Sequence, residues 1–278
     1  MRKIWVILAA LILAGCSQEP VTPAPEKLVI EGWIEDGGAP VVYVTSTLRV
    51  TEGEVVGADA IESHIVKWAK VTISDGTESV VLTGTASSRF YPPYAYTTGR
   101  MFGKVGTTYT ITVEYSGEVA TASATIPPPA ELDDIQAVPE GDTGEYVIRV
   151  NFTDNPATED YYRFFMRIND VDKTYLPAPV GTVSDAQISS GAVQLELQPG
   201  ASMFRTERRT GFRSGETVSV KFCTMERSMY MYWNAFEEQY NLTDIPFFSL
   251  DSNLPGNVSG GIGYFAAYGS STDTVTIP

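Results

Sequence analysis

Apolar and polar residues alternate with a period of two through most of this chain, and that period constrains the fold more than any other feature. The clearest run is Tyr109, Ile111, Val113 and Tyr115, interleaved with Thr108, Thr110, Thr112 and Glu114. Side chains that point to opposite faces in turn can bury such a run only as a strand with one face against a core. Leu28, Ile30 and Ile34 share one strand face, and the turn Asp36-Gly37-Gly38 leads into residues 41–44, the pattern of a hairpin. Val71 and Ile73 lead to a second turn at Asp75-Gly76, and residues 120–126 run into Pro127-Pro128-Pro129. Three prolines cannot continue a sheet ladder, so they read as an interdomain linker.

The second half repeats the pattern with Tyr146, Ile148, Val150 and Phe152, then residues 161–168, 193–197 and 218–222, and closing strands at 262–268 and 275–277. One helix is expected over about 226–240, where Met229, Tyr232, Trp233, Phe236 and Tyr240 recur at three- and four-residue spacing as a core stripe. A long irregular loop, residues 241–261, follows it. The expected fold is therefore mainly all-β: two antiparallel immunoglobulin-like β-sandwich domains, at 27–126 and 131–278 about a Pro-rich linker at 127–130. The second carries the helix and the long loop.

Ahead of the first strand, Arg2 and Lys3 precede an apolar run over residues 4–14, shorter than the roughly 17 to 25 residues that span a bilayer as a helix. It reads as a signal peptide, residues 1–15. The run ends in Leu13-Ala14-Gly15-Cys16, which resembles the bacterial lipobox, so Cys16 is the expected lipidation site. Residues 16–26, with Pro20, Pro23 and Pro25, form a stiff tether. Two or three acyl chains suffice for stable anchoring without a transmembrane helix. Ser17 lacks the Asp that resembles an inner-membrane retention signal, which directs the expectation to the outer membrane, on its periplasmic or cell-surface face.

Charge and composition then remove whole classes of function. The formal net charge is −15, becoming −17 once Arg2 and Lys3 leave with the leader, so a phosphate backbone repels this chain and no nucleic-acid partner is expected. One histidine, His64, and two cysteines provide no stock of ligands for a Cys/His zinc or copper site and no Ser-His-acid constellation. No cofactor is expected. Cys223 alternates out of register with Val218, Val220 and Phe222, which assigns it to the opposite face of its strand as a small buried residue. Asp154 and Asp160 offer oxygen ligands on one loop and are a weak Ca²⁺ candidate, with a solvated turn as the plainer reading.

Two segments are candidates for recognition. Phe90-Tyr91-Pro92-Pro93-Tyr94-Ala95-Tyr96 is expected to be a loop, because adjacent prolines obstruct a strand. Its Tyr91, Tyr94 and Tyr96 either stack on a sugar or partner or fold back to cap the sandwich. Arg205, Arg208, Arg209 and Arg213 cluster in an acidic protein. They form either a docking patch for an anionic surface or a set of charges pairing with Glu207 and Glu216.

The lipobox, Leu28-Val29-Ile30-Glu31-Gly32-Trp33-Ile34, Tyr161-Tyr162-Arg163 and Gly260-Gly261-Ile262-Gly263-Tyr264-Phe265 together carry a resemblance. The chain resembles the Bacteroidota envelope lipoprotein family known as domain of unknown function 4249. The resemblance implies an envelope location and, since such proteins are often encoded beside TonB-dependent outer-membrane transporters, a transporter partner; it brings no catalytic residues. The expected function is a non-enzymatic binding or accessory subunit of a TonB-dependent nutrient transporter, held to the membrane by its N-terminal lipid. A structural or adhesive cell-surface protein is the alternative, followed by a carboxylate-dependent glycosidase with two acids roughly 5 to 9.5 Å apart. Replacing Cys16 by Ser is expected to leave the protein unlipidated; unchanged detergent partitioning and labelled-palmitate incorporation would overturn that expectation.

Overall fold

The computed structural model describes residues 26–47, 58–188, 191–200, 209–242 and 254–278. In chain order they form β1 (Leu28–Glu35), β2 (Val41–Ser46), α1 (Ala58–Ser63), β3 (Lys70–Ser74), β4 (Ser79–Val81), β5 (Thr83–Ala86) and β6 (Tyr94–Thr97). There follow β7 (Thr108–Tyr115), β8 (Glu118–Thr125), β9 (Asp134–Pro139), β10 (Tyr146–Thr153), β11 (Tyr161–Ile168) and β12 (Leu176–Ser184). The chain closes with β13 (Ala192–Leu197), β14 (Thr217–Met225), α2 (Arg227–Leu242) and β15 (Ile262–Thr276).

The fold is mainly β, as the alternation requires, and one large sheet organises it. Eight strands run in the order β12-β11-β14-β15-β1-β2-β6-β5, beside a four-stranded sheet β4-β3-β7-β8 and a three-stranded sheet β13-β10-β9. Both small sheets cover the same face of the large one. Along β15, Phe265 and Ala267 enter the core shared with β3, β7 and β8, whereas Val275, with Ile277 just beyond the strand, enters the core shared with β10. These four positions are all odd-numbered, and a strand points such residues to one side. The two sandwiches therefore share a sheet.

That sharing alters the organisation expected from sequence. The closing segments at 262–268 and 275–277 are one continuous strand of 15 residues. The polar run Gly269-Ser270-Ser271-Thr272-Asp273-Thr274 interrupts the apolar signal because it crosses between two cores, while β14 keeps the backbone paired through it, Thr224↔Gly269 to Thr217↔Thr276. A boundary at 127–130 consequently divides the chain but not the sheet, since β15, from the C-terminal half, completes the N-terminal core. The Pro-rich segment lies against this crossing. Thr224 Oγ1 donates to the Pro128 carbonyl at 2.6 Å and Ser271 Oγ to the Ala130 carbonyl at 2.7 Å. At Gly269 a Cβ would come 2.2 Å from the Pro127 carbonyl oxygen, so the approach requires glycine.

β1 and β15 pair in parallel, from Val29↔Ile262 to Glu35↔Tyr268. Gly263 permits this contact: its φ is +106°, and a Cβ there would lie 1.9 Å from the Ile30 carbonyl oxygen.

The opposite face of the large sheet carries α2. Met229 and Trp233 are buried there with Cys223, Met225, Tyr264, Ala266 and Tyr268, and Tyr232 and Phe236 pack against them, so the helical stripe from Met229 to Phe236 is core; the Tyr240 side chain lies outside the described residues. Cys223 is completely buried on the face its register assigns, and burial pushes its thiol well above the ordinary range, with Glu35 adding to the effect. Arg163 on β11 pins the helix to the sheet. Its guanidinium is fully buried, donates to Thr182 Oγ1 at 2.9 Å and to the Ala178 carbonyl at 2.8 Å, pairs with Glu237 of α2, and lies 4.8 Å from the Trp233 ring centroid.

Removing one member of a buried ion pair strands the other charge, which costs about 3 to 5 kcal/mol. Arg163→Ala is therefore expected to lose stability on that scale in urea denaturation, and Arg163→Met with Glu237→Leu is expected to recover most of it. A single variant as stable as the wild type would refute the pinning role.

Candidate functional site

On its outward face β1 presents Glu31, Trp33 and Glu35 at alternate positions, and each meets a different chemical setting. Glu35 is neutralised: Lys221 Nζ of β14 donates to its two oxygens at 2.6 and 2.8 Å, and Ser270 Oγ adds a contact at 3.3 Å. Glu31 has no such partner among the described residues. It lies directly opposite Tyr43 of β2 on one side and Tyr264 of β15 on the other. The Tyr264 hydroxyl donates to Glu31 Oε1 at 2.9 Å.

Two aromatic pairs flank this carboxylate. Trp33 and Tyr43 stand on one side with ring centroids 5.8 Å apart, and Tyr232 of α2 packs tilted against Tyr264 on the other at 4.4 Å. Among the described residues no ring contact joins the pairs across Glu31. Glu31, Trp33 and Tyr232 keep part of their surface open to solvent, whereas Tyr43 and Tyr264 are buried. The result is a slot in the sense of one half-buried acid set between two aromatic pairs, reached from solvent past Trp33 and Tyr232.

The electrostatics follow from that geometry. Burial raises the Glu31 carboxyl above its ordinary value, and the hydrogen bond from Tyr264 offsets only part of the rise. Burial first, and the Glu31 charge second, push the hydroxyls of Tyr43, Tyr232 and Tyr264 upward. Glu31 and Glu35 share a face but are four residues apart, about 13 Å along a strand rising roughly 3.3 Å per residue. That exceeds the separation of a glycosidase pair.

The residues singled out from sequence are placed differently. Tyr94 and Tyr96 belong to β6, not to a loop: Pro92 and Pro93 end before the strand begins, so the ladder is not obstructed. Tyr96 is buried, donates to the Val66 carbonyl at 2.7 Å and accepts from the Ala69 amide at 3.0 Å, and burial pushes its hydroxyl up to about 12. Tyr94 donates to the Lys67 carbonyl at 3.0 Å. Both brace residues 66–69, the folded-back arrangement. Tyr91 stays near the slot, its backbone hydrogen-bonded to the Tyr43 hydroxyl, while Phe90 meets the Tyr43 ring edge-on at 6.2 Å.

Cys16, Arg205 and Arg208 lie outside the described residues. The Arg209 side chain is largely buried in a two-point pair with Glu216, Nη1 and Nη2 donating to its oxygens at 2.8 and 2.9 Å, so it serves the fold and not a docking patch. Asp154 is buried and accepts from the Tyr162 hydroxyl at 2.6 Å, and Asp160 accepts from Thr158. Neither belongs, among the described residues, to a group of three or more His, Cys, Asp or Glu placed to hold a metal ion. His64 follows α1, with Ser63 Oγ 3.1 Å from its Nδ1.

The sheets define a mainly β protein with one half-buried acid between two aromatic pairs on its helix-bearing face. A family model described as Domain of unknown function (DUF4249) matches residues 18–274, and the chain belongs to that family. No curated protein matches it. Among solved structures it is similar to a chain titled "Cytokine receptor complex - Crystal form 1A", with 10% identity over 89% of this chain and 95% of that one. The TM-score of 0.24 is too low for a shared fold. The sequence does not reveal the slot, although Glu31, Trp33 and Tyr264 lie in the two most recognisable segments, residues 28–34 and 260–265. The parallel pairing that brings them together has no local sequence signal.

A carboxyl raised by burial stabilises the fold below its ordinary value and loses that contribution as pH rises through the raised one. Glu31→Gln removes the loss, with the Tyr43, Tyr232 and Tyr264 hydroxyls neutral throughout. The variant's melting temperature is therefore expected to fall less than the wild type's between mildly acidic and neutral pH; parallel curves would refute a buried, raised Glu31.

Proposed function

We propose that this protein is an outer-membrane-anchored lipoprotein acting as a non-enzymatic binding or accessory subunit of a TonB-dependent nutrient transporter. The slot about Glu31 carries the reading. It has the composition of a binding site, aromatic side chains about one convergent polar group, and Glu35, the other acid on that face of β1, lies beyond the spacing that glycoside hydrolysis requires.

The leader ending at Cys16 supports the lipid anchor, and the family membership is consistent with an envelope protein. No helix among the described residues is long and apolar enough to cross a membrane, so a lipid is the attachment the reading relies on. The proline-containing tether would hold the body off the bilayer, leaving the helix-bearing face free to meet a ligand.

A structural or adhesive surface role is the second reading, favoured by Trp68 at 88% exposed, with Val81 and Phe102 about half-exposed. Aromatic side chains displayed this openly suit contact with another surface.

Pull-down of the tagged full chain from solubilised outer membranes is expected to recover a TonB-dependent transporter in stoichiometric amount. Recovery of the protein alone would sink the subunit reading. A deletion strain with normal nutrient uptake and altered attachment would favour the adhesive one.

A further inference from the structure

An acid taken partly out of water needs compensation, and the chain compensates its other outward-face acids itself. Glu35 has Lys221, with Nζ also 4.4 Å from the Tyr175 ring centroid, and Glu237 has Arg163. Glu31 receives one hydroxyl from Tyr264, and no basic side chain among the described residues approaches it. Desolvation of an uncompensated carboxylate is unfavourable, so the slot is electrostatically incomplete.

Its walls have a matching bias. Adjacent strands lie about 4.8 Å apart, so the backbones of β2 and β15, on either side of β1, are separated by about 10 Å. Tyr43 and Tyr264 rise from those two backbones at the register position of Glu31. Trp33 and Tyr232 extend the walls, paired with Tyr43 and Tyr264 respectively. Aromatic faces carry negative electrostatic potential, which attracts a cation and disfavours an anion. A neutral sugar could stack against these rings but would leave the carboxylate charge unanswered.

We propose that the slot formed by Glu31, Trp33, Tyr43, Tyr232 and Tyr264 binds an organic ammonium ion, with the cationic head over Glu31 and between the two aromatic pairs. The cation supplies the charge that the fold withholds from Glu31, and the rings replace the water it loses on entry. Lys221 and Arg163 do not compete, because each is held by its own carboxylate. Tyr264 holds Oε1 of Glu31, and no hydrogen bond from the described residues takes up Oε2. The inference deepens the binding-subunit reading by naming the ligand class, and it rests on that reading.

The test is calorimetric titration of the full mature protein with choline and ethanolamine as cationic probes, and with 3,3-dimethylbutan-1-ol as the neutral isostere of choline. Glucose serves as the stacking control. At least one of the two cations is expected to bind saturably, about tenfold or more tighter than the neutral alcohol, in keeping with a desolvated cation–π site. Glu31→Gln is expected to erase that preference while leaving the alcohol unchanged. Tyr232→Leu, on the partly exposed helix surface, is expected to weaken the cation about tenfold by removing one wall.

Three results overturn the proposal: no binding of either cation at millimolar concentration, equal binding of choline and its neutral isostere, or an undiminished preference in Glu31→Gln. Glucose binding without cation binding would reassign the slot to a sugar. Because transporter pull-down reads the subunit role and the titration reads the slot, each can fail alone. A folded Glu31→Gln that still recovers the transporter but has lost choline binding supports both.

Discussion

The parallel ladder between β1 and β15 joins strands from opposite ends of the chain, and most of the architecture depends on it. It brings Phe265 and Ala267 into the N-terminal core beside Ile30 and Ile34. It also continues the sheet into β14, whose other neighbour β11 begins the second sandwich. On the opposite face, the same register sets Tyr264 beside Glu31 and Tyr268 beside Glu35. Shifting the pairing by one residue would exchange the two faces of β15, sending Tyr264 and Tyr268 into the sandwich core and Phe265 toward the helix. The pair of glycines at 261 and 263, with Gly263 at positive φ, holds the register because larger side chains could not approach the β1 backbone so closely.

The outward face is unusual for a surface that also packs a helix, since charge is distributed through it as well as around its rim. Arg163 with Glu237 and Lys221 with Glu35 are both more than four-fifths removed from solvent. Such pairs add little net stability over apolar residues of the same size, but they penalise wrong arrangements strongly, because a misplaced helix or strand would strand a charge. They therefore specify how α2 and β14 sit. Glu31 belongs to the same row and lacks this function, which separates it from the acids that serve the fold.

Much of the fold was legible because alternation is a local signal. The strands around Ile111, Ile148 and Val220 follow directly from their period, as does the stripe Met229, Trp233 and Phe236 of the helix. What was not legible depends on distant chain. The polar stretch 269–274 reads as a break in apolar alternation, yet it remains strand because β14 pairs with it. Tyr94 and Tyr96 read as loop because of the preceding prolines, whereas their fate is set by carbonyls at Val66 and Lys67. Arg209 appears in sequence as one of four clustered cations, and only the fold reveals that Glu216 claims it. The slot is the extreme case: Glu31, Tyr43, Tyr232 and Tyr264 come from four separate segments, and nothing near Glu31 in sequence distinguishes it from an ordinary exposed acid on an alternating strand.

The closure of the sheet by its first and last strands also governs when the protein can fold. Glu31 and Tyr264 are 233 residues apart along the chain, and nearly every residue between them must be made before they can meet. Pairings of such long sequence separation are slow, since the entropy of closing the loop is lost before any contact rewards it. Until β15 arrives, the N-terminal sandwich lacks Phe265 and Ala267 from its core and β1 has an unpaired edge. A chain built this way completes its N-terminal core only after its last strand has been made, so the two ends of the sequence must both be present before either sandwich is whole.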